Sequence, residues 1–597
     1  MQREGNHRRY GALTPIVLRD RTWPDKVIST APRWLSTDLR DGNQALANPM
    51  SPARKLAMFD LLVDMGYKEI EVGFPVASQD DHDFVRALIE QDRIPDDVRI
   101  SVLVQAREEL IRYTVESLRG ARKATIHVYN ATAPLFRDVV FGMSRGEVRD
   151  LAVQGTWWTM KYAERTLADC DLGFEYSPEL FNETEPEFAV EVCEAVMDVW
   201  QPGDGREIIL NFPSTVERSL PHVFADQIEW LDRNLSHREH RCLSVHPHND
   251  RGTGVAATEL ALLAGAQRVE GCLFGSGERA GNVCLVTLGM NMFTHGVDPR
   301  IDFSEIDRVR RTVEYCNEMP VSPRHPYGGE LVYTAFSGSH QDAIKKGFDA
   351  LETRAVEMGT NIGDLPWQMP YLTVDPQDVG RDYEAVVRIN SQSGKGGIAY
   401  VMSTWHGLDL PGELRIEFSK TVQSVTDRTG GVVTPERLKE LFVQEYIAVA
   451  DQTHPLRLRR EPLVTTLFID GVTRGAAVFD DYTRTGVLGS LTETLAARGV
   501  EIRTLRTVGS AVARPLGESI TVYAKCSVEG RAFWGCGIDR DMHAAAHSAV
   551  RVAAARAGQV QAPNLTSPST AGVVEGHLPW PRTADPRPYT LTPRSIS

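Results

Sequence analysis

The sequence predicts an α/β fold built around a TIM (β/α)8 barrel, which helical subdomains and a C-terminal α+β domain follow. Two observations predict the barrel. Between residues 34 and 294, eight short apolar runs alternate with longer amphipathic segments, as buried parallel strands alternate with crossover helices. Polar and charged residues also gather where the first, seventh and eighth runs end, which is the side on which such a barrel carries its site.

The apolar runs define the candidate elements in order. The eight candidate strands are 34–38, 69–73, 99–104, 123–128, 171–176, 207–211, 243–248 and 268–274. Residues 52–65 and 186–200 are the clearest helices between them, because each begins with a proline and repeats its apolar residues at helical spacing. An open doubly wound sheet is the alternative fold, but no GxGxxG turn follows the first strand.

Past the barrel the pattern changes, and the chain divides into five predicted parts. Gly-, His- and Pro-rich stretches interrupt the alternation, and past residue 463 two similar sets of strands and helices follow. The tail is rich in Pro, Ser and Thr, and we expect it to be disordered. The parts are an N-terminal extension (1–30), the barrel (31–320), helical subdomains and linker (321–460), the α+β domain (461–560) and the tail (561–597).

The composition excludes several classes of protein. Of 597 residues, 42% are hydrophobic and 24% are charged, which excludes collagen, a coiled coil and a wholly disordered chain. The net charge of -15 argues against nucleic acid as a partner. No apolar run is long enough to span a membrane and residues 1–30 contain no signal-like segment, so we expect no membrane partner and a cytoplasmic location. The 8 cysteines form no CxxC pair and are expected to be buried thiols.

The strongest motif is VHPHND at 245–250, at the end of the seventh candidate strand. Side chains at positions i and i+2 of a strand share a face, so His246 and His248 project together. At the mouth of a barrel, two such imidazoles make a divalent-metal site that needs one or two oxygen ligands more. Two histidines hydrogen-bonded within a loop are the other interpretation.

Charged residues also end the first candidate strand, in the segment STDLRDGNQ at 36–44. Because a barrel brings the ends of strands one and seven to one mouth, Asp41 can supply the carboxylate that the two histidines lack. A plain ion pair between Arg40 and Asp41 is the alternative. The eighth strand runs into FGSGERAGN at 274–282, where Gly275 and Gly277 let the backbone approach a phosphate or carboxylate group beside Glu278.

Seven motifs occur in a fixed order along the chain: LRDGNQ (39–44), FEYSPE (174–179), HPHND (246–250), GSGERAGN (275–282), YGGELVY (327–333), FSGSHQD (336–342) and VRINSQSGKGG (387–397). Together they resemble the acyl-CoA Claisen-condensing synthases, and most closely the 2-isopropylmalate synthase family of the long actinobacterial type. The resemblance covers residues 30–450 densely and the remainder in outline. Several separated motifs in order are far more specific than any one of them.

The resemblance implies a role for each residue at a matching position. The family's divalent-metal ligands are matched by Asp41, His246, His248 and Asn282. The arginine beside the carbonyl of a 2-oxo acid substrate is matched by Arg40. Residues that contact this acid or lie near the reacting centre are matched by His127, Thr215, Ser177 and Glu179.

Two further residues, His340 and Tyr371, match catalytic residues of the family that reach the barrel mouth from a partner subunit. The resemblance therefore implies a homodimer. We expect His340 to act as the base that removes a proton from the acetyl group, directly or through water, with Glu179 and Tyr371 in its relay. Taken without the flanking motif, His340 is more typical of a capping or solvent-exposed histidine in a Gly/Ser loop.

The reaction implied by the resemblance is condensation of acetyl-CoA with 3-methyl-2-oxobutanoate (2-oxoisovalerate) and hydrolysis of the thioester. Its products are 2-isopropylmalate and CoA, the first step of leucine biosynthesis. Mg²⁺ is the expected metal, with Mn²⁺ or Zn²⁺ as alternatives and K⁺ as an activator. The alternatives are a homocitrate or citramalate synthase, an aldolase-type lyase, and a non-haem Fe(II) oxygenase that shares the two-histidine, one-carboxylate donor set.

The C-terminal domain carries one departure from the family. Relatives bind leucine there as a feedback inhibitor and have a Gly-rich, GxGNGP-like turn after an early strand. The matching segment here is FDDYTRTG at 479–486, with one glycine and two adjacent carboxylates, Asp480 and Asp481. Bulky residues do not follow a positive-φ path at low cost, and the carboxylates would repel an amino-acid carboxylate. We therefore expect leucine inhibition to be weakened, lost or shifted to another effector.

Overall fold

The computed structural model describes residues 16–381, 395–429 and 433–447, together with Gly11 and shorter stretches between 465 and 556. The chain falls into two compact units. The first combines Met1–Tyr333 with Thr373–Tyr383, and the second combines Thr334–Leu372 with Glu384–Ser597. The predicted barrel lies in the first unit.

Eight parallel strands close into a barrel, which confirms the predicted fold class. Each strand pairs with the next one along the chain, and β1 also pairs with β8, where Ser36 lies opposite Gly271. The strands are β1 (Arg33–Ser36), β2 (Glu69–Gly73), β3 (Arg99–Gln105), β4 (Lys123–Ala131), β5 (Asp171–Glu179), β6 (Ile208–Ser214), β7 (Arg241–Pro247) and β8 (Arg268–Gly271).

A helix follows each strand of the barrel, and local sequence explains where the helices begin. In α5, Phe188, Val192 and Val196 recur at helical spacing and are fully buried, as the sequence predicts. At the start of α4, Ser144 and Glu147 form a capping box. The helices are α1 (Pro52–Asp64), α2 (Gln79–Glu90), α3 (Glu108–Ser117), α4 (Arg145–Thr166), α5 (Pro186–Trp200), α6 (Pro221–Asn234), α7 (Gly254–Ala264) and α8 (Leu285–Phe293), after which α9 (Ile306–Asn317) completes the set around the barrel.

The carboxyl ends of the strands differ from the sequence prediction. β1 ends at Ser36 and β8 at Gly271, which form the last pair of the ladder between these two strands. The next residues form a π-helical turn, Asp38–Gly42, where the sequence predicts that the strand continues to residue 38. β4 and β5 instead run on to Ala131 and Glu179, which pair with each other. The sequence therefore predicts β1 and β8 to end later, and β4 and β5 to end earlier, than they do.

Helices and an antiparallel sheet form the second unit. The helices are α10 (Gly338–Met358), α11 (Lys395–His406), α12 (Gly412–Thr429) and α13 (Pro435–Tyr446). The strands are β9 (Thr465–Leu467), β10 (Thr504–Gly509), β11 (Ile520–Val528) and β12 (Arg531–Asp539), and β11 pairs with each of the other three. Tyr523 and Trp534 of the sheet share a buried core with Phe418 of α12 and Phe442 of α13. The sheet and these helices are therefore packed as one body.

Three of the predicted C-terminal strands, 500–507, 519–528 and 532–538, overlap β10, β11 and β12, and residues 500–503 and 519 lie outside the described part of the chain. β9 covers the centre of a fourth predicted strand, 464–469. Other predictions lie outside the described residues: the strand 475–479, the helix 486–498, the turn 479–486, the tail 561–597 and most of the motif 387–397. The predicted helix 541–557 is described only in short stretches.

The cysteines are expected to be buried thiols. Seven of them are described, none of these seven is in a disulfide, and all of the seven except the half-buried Cys170 are buried. Within the described part of the chain, no helix has the length and apolar character needed to cross a membrane.

Candidate active site

Three buried side chains meet at the carboxyl end of the barrel. Asp41 lies on the π-helical turn after β1, His246 is in β7, and His248 follows that strand directly. Oδ2 of Asp41 lies 3.5 Å from Nε2 of His246 and 3.6 Å from Nε2 of His248. One potential ligand atom from each residue lies within 4.8 Å of the other two. The structure thus brings together the three residues that strand spacing and barrel geometry select as a metal site.

Asn282, the fourth predicted ligand, lies beside them. Its Nδ2 donates a 2.7 Å hydrogen bond to Oδ2 of Asp41, and its backbone forms an isolated β-bridge with His248. The loop that carries Asn282 depends on two glycines. A Cβ at Gly277 would lie 2.2 Å from Nδ2 of Asn282, and a Cβ at Gly281 would lie 1.8 Å from a backbone oxygen. Gly277 therefore leaves the space that the Asn282 side chain occupies, and Gly281 allows the backbone of the loop to pack closely against Gly275.

The electrostatics of this group are those of a cation site. Burial disfavours a charge on His246, but its hydrogen bonds with Asp41 and Glu270 outweigh burial and raise its pKa to about 9. Burial and the neighbouring His246 lower the pKa of His248 to about 4. Burial opposes ionisation of Asp41, yet Arg40 and His246 hold the pKa of its carboxyl far below the ordinary range. Asp41 is therefore ionised, and the positively charged groups Arg40 and His246 lie beside it.

The donor set fits a divalent metal. Two buried atoms of the group, Nδ1 of His248 and Oδ1 of Asn282, have no hydrogen-bond partner among the described residues. A buried polar atom without a partner costs free energy, so each is suited to contact a ligand or a water. Two imidazoles, a carboxylate and an amide oxygen are ordinary ligands of divalent ions. The residues present are therefore able to hold such an ion.

A cavity of about 230 Å³ opens beside this group within the first unit. Most of the residues predicted for the site line it: Arg40, Asp41, His127, Ser177, Glu179, Thr215, His246, His248 and Glu278. Its other walls come from Gln44, Phe74, Leu103, Tyr129, Asn211, Pro213 and Arg279. The strand ends therefore place the candidate metal ligands and the candidate substrate contacts on one cavity, large enough for a small 2-oxo acid.

A hydrogen-bonded chain crosses the floor of the cavity from Arg40 to Ser177. Nε of Arg40 donates to Glu71 across 2.5 Å, and the other oxygen of Glu71 lies 2.8 Å from Nδ1 of His127. Nε2 of His127 lies 2.7 Å from Oγ of Ser177. Arg40 also lies 3.2 Å from Asp41, so the ion pair considered from the sequence is present. Arg40 nevertheless lines the cavity, where the rest of its guanidinium is available to a ligand.

Glu179 and Thr215 lie on the same rim. Burial raises the pKa of Glu179, while the nearby Arg40 opposes that shift. Oγ1 of Thr215 accepts a 3.0 Å hydrogen bond from the backbone N–H of Leu180, which fixes the threonine relative to the end of β5. A carboxyl whose proton is held more tightly than usual is a candidate for proton transfer during a reaction.

His340 and Tyr371 belong to the second unit, and the structure brings them to each other. Their rings stack with centroids 3.9 Å apart and planes inclined by 24°. Both side chains are exposed, Tyr371 by 64%. Tyr371 also has a φ of +62°, a left-handed conformation that a bulky residue adopts only when its surroundings impose it. The two rings are therefore in contact at the surface of the second unit, and their catalytic role stays a prediction.

Four charged residues inside the barrel have no role predicted from the sequence: Glu71, Glu175, Arg268 and Glu270. All four are fully buried. Each lies in a predicted strand, and this position could have indicated them, because a charge in a buried strand requires a buried partner. With Asp41 and Arg40 they form a buried group of four carboxyls and two guanidiniums joined by ion pairs. Burial raises the pKa of Glu175 well above its ordinary range.

Known proteins resemble this chain along most of its length. The HMGL-like family profile matches residues 31–313, and the profile "Alpha-isopropylmalate synthase, post-catalytic domain-like" matches residues 330–403. A solved hydroxymethylglutaryl-CoA lyase from Pseudomonas aeruginosa is 17% identical with a TM-score of 0.40, covering 49% of this chain and 95% of that one.

Two relatives are named 2-isopropylmalate synthase. The protein from Streptosporangium roseum is 68% identical over 92% of this chain and 94% of its own length. The protein from Thermobifida fusca is 57% identical over 92% of this chain and 98% of its own length. The resemblance seen in the motifs is therefore confirmed, and the chain belongs to the 2-isopropylmalate synthase family of enzymes.

Proposed function

We propose that the chain condenses acetyl-CoA with 3-methyl-2-oxobutanoate and hydrolyses the resulting thioester, giving 2-isopropylmalate and CoA in the first step of leucine biosynthesis. One water is consumed, and CoA leaves as the free thiol. The observation that carries the proposal is the shared cavity: a group able to hold a divalent cation lies on the same wall as Arg40 and beside His127 and Ser177. The names of the close relatives support the same reaction.

The metal would be held by Asp41, His246, His248 and Asn282, the four residues that meet at the rim. We propose Mg²⁺ as the ion, with Mn²⁺ and Zn²⁺ as the alternatives, and K⁺ as an activator on the family resemblance. A bound divalent cation supplies Lewis-acid polarisation of the carbonyl of the 2-oxo acid.

Arg40 would stabilise the oxygen on which negative charge develops as the new carbon–carbon bond forms. Its guanidinium is held by Glu71 and Asp41 and therefore does not need to reorganise during the reaction. His127 and Ser177 would contact the bound acid, and Thr215 closes the same side of the cavity. These groups orient the acid so that one face of its carbonyl meets the acetyl carbon.

A base must take a proton from the acetyl methyl group. We propose His340 for this step, directly or through water, with Glu179 and Tyr371 in the relay. Two observations support this proposal. The stacked rings of His340 and Tyr371 are exposed, and burial raises the pKa of Glu179. The proposal includes a homodimer in which these two residues serve the partner's barrel, and a cytoplasmic location.

The test is a thiol-release assay with acetyl-CoA and a panel of 2-oxo acids, with and without a chelator. We expect the highest kcat/KM with 3-methyl-2-oxobutanoate, loss of activity with chelator and recovery with Mg²⁺. Preference for 2-oxoglutarate or pyruvate would identify a homocitrate or citramalate synthase instead. Thiol release that needs neither a 2-oxo acid nor a metal would contradict the proposal, as would O₂ consumption with an oxidised product.

A further inference from the structure

Arg268 is a fully buried guanidinium inside the barrel. It begins β8 and bonds to residues from three other strands as well as its own. Its Nε lies 2.8 Å from Glu69, and its two terminal nitrogens lie 3.2 and 3.1 Å from the two oxygens of Glu175. Nη1 also lies 2.6 Å from Glu270 and 2.9 Å from Ser244. A rigid, planar fork of this kind fixes several acceptors at once, which a single ammonium does not.

On one side this network reaches the candidate metal site. Arg268 and Ser244 both bond to Oε1 of Glu270, so that carboxylate is fixed in place. Its other oxygen, Oε2, then lies 3.0 Å from Nδ1 of His246. Because a carboxylate only accepts hydrogen bonds, Nδ1 keeps its hydrogen, and Nε2, which is directed towards Asp41, is the nitrogen able to bind a metal once it loses its proton. An outer partner that sets the histidine tautomer in this way is a determinant of metal affinity.

On the other side the network reaches the candidate substrate contacts. Glu175, held by both arms of Arg268, lies 3.6 Å from Nε2 of His127. Asn211 connects the two sides, because its Nδ2 donates to Oε2 of Glu270 at 3.2 Å and to Oγ of Ser177 at 2.9 Å. The Arg268 guanidinium therefore binds both Glu270, which contacts the candidate metal ligand His246, and Glu175, which lies beside the candidate substrate contact His127.

We propose that Arg268 is a positioning residue for both halves of the site. It holds Glu270 against His246 and Glu175 beside His127, so that the metal ligands and the 2-oxo acid contacts keep one relative geometry. The substrate half of this inference rests on the proposed function, whereas the metal half does not.

The deciding variant is Arg268→Lys in the full-length protein. Lysine keeps the positive charge, so a residue needed only for charge balance would tolerate the change. A positioning residue would not, because one ammonium cannot fix Glu175 and Glu270 together. We expect a folded protein whose dissociation constant for Mn²⁺, measured calorimetrically without substrates, rises at least about 10-fold. We also expect kcat to fall while the KM for acetyl-CoA changes little.

Arg33→Gln is the matched control. Arg33 shares Glu69 with Arg268, but it is 40% exposed and bonds to Glu207 rather than to Glu175 or Glu270. Its Mn²⁺ affinity and kcat should stay within about twofold of the unchanged protein. If Arg268→Lys does not fold, the double variant Arg268→Gln with Glu175→Gln, which removes one charge of each sign, is measured by the same criteria.

A folded variant that binds Mn²⁺ and turns over within about twofold of the unchanged protein would overturn the inference. Because the Mn²⁺ titration needs no substrate, it still decides the metal half if thiol release fails for every 2-oxo acid. Failure of thiol release with every 2-oxo acid would contradict the proposed function but not the metal half of this inference. The visible spectrum of the Co²⁺-loaded protein provides an independent reading, since it should change in Arg268→Lys and not in Arg33→Gln.

Discussion

Asn282 donates a hydrogen bond of 2.7 Å to Oδ2 of Asp41, although 241 residues separate the two along the chain. The contact joins the segment after β1 to the segment after β8, at the seam where these two strands pair and close the barrel. The candidate metal site therefore lies where the first and last strands pair and close the barrel. It cannot form in a chain whose first and last strands have not met.

Loss of one candidate ligand should abolish both metal binding and turnover. Asp41→Asn removes the anion of the group, and His246→Ala removes one imidazole, so neither variant retains the full donor set. We expect the dissociation constant for Mn²⁺ to rise more than about 100-fold in calorimetry, with thiol release lost. His222→Ala, on the exposed start of α6, is the control. Normal activity of Asp41→Asn in metal-depleted buffer would reject the site.

Gly277→Ala should have the same effect without altering any ligand. Its Cβ would lie 2.2 Å from Nδ2 of Asn282, at a φ of +138°. Gly252→Ala is the matched control, since Gly252 also has a positive φ, +75°, but its Cβ would meet nothing within 4 Å. Both variants carry a backbone cost of about 1 kcal/mol, yet only Gly277→Ala should weaken Mn²⁺ binding. Equal metal affinities in the two variants would show that Asn282 is not a ligand.

His340→Ala should lower kcat greatly while the affinity for the 2-oxo acid changes little. The acid would be held mainly by the metal and Arg40, whereas His340 is proposed to act only on the proton of the acetyl group. Steady-state kinetics give kcat, and calorimetry with the 2-oxo acid alone gives its affinity. Ser339→Ala, at the exposed neighbouring position, is the control. A near-normal kcat for His340→Ala would remove this residue from the mechanism.

Mixing variants tests whether His340 serves the partner's site. A hybrid of His340→Ala and Asp41→Asn subunits would contain one site with both residues intact, if each site draws on two chains. We therefore expect part of the activity to return when the two inactive proteins exchange subunits. Exchange proven by mass spectrometry without any recovery would favour a site formed within one chain.

Asp38→Asn should remove a pH dependence of stability. Burial raises the pKa of Asp38 to about 7, so between its ordinary pKa and about 7 the folded chain keeps a proton that the unfolded chain has lost. The contribution of Asp38 to the free energy of unfolding therefore falls as pH rises through that window, and it is constant above the window. The variant should gain about 2–3 kcal/mol relative to the unchanged protein between about pH 5 and about pH 8.

Thermal unfolding of the two proteins at both pH values measures this difference. Asparagine can still accept from the backbone N–H of Leu273, as Asp38 does, so the packing should be retained. Asp25→Asn, at an exposed position, should show no such pH-dependent gain. A Tm difference between Asp38→Asn and the unchanged protein that is equal at both pH values would contradict the assignment.

Leucine should inhibit this protein weakly or not at all. The segment 479–486 has one glycine and two adjacent carboxylates, Asp480 and Asp481, where the family resemblance implies a Gly-rich turn, and it lies outside the described residues, so the prediction depends on sequence alone. An effector must bind two states with different affinity to change the rate. A titration of leucine against initial rate gives the answer. Strong inhibition by micromolar leucine, abolished by deleting residues 461–597 without loss of folding, would show that the altered turn does not matter.

Some features of the site could be predicted from neighbouring residues. The two-residue period of a strand places His246 and His248 on one face, and the helical spacing of Phe188, Val192 and Val196 defines the buried side of α5. These are consequences of backbone geometry over a few residues. They therefore hold before any long-range contact is known.

Other features depended on closure of the barrel. The turn of Asp38–Gly42 replaces a strand because β1 can extend only as far as its partner β8. The bond between Asn282 and Asp41 and the network around Arg268 likewise join distant segments. Sequence by itself determined the alternation of strands and helices, the family and the residue types at the strand ends. Tertiary structure alone decided which charges meet, because a buried charge is tolerated only where folding delivers its partner.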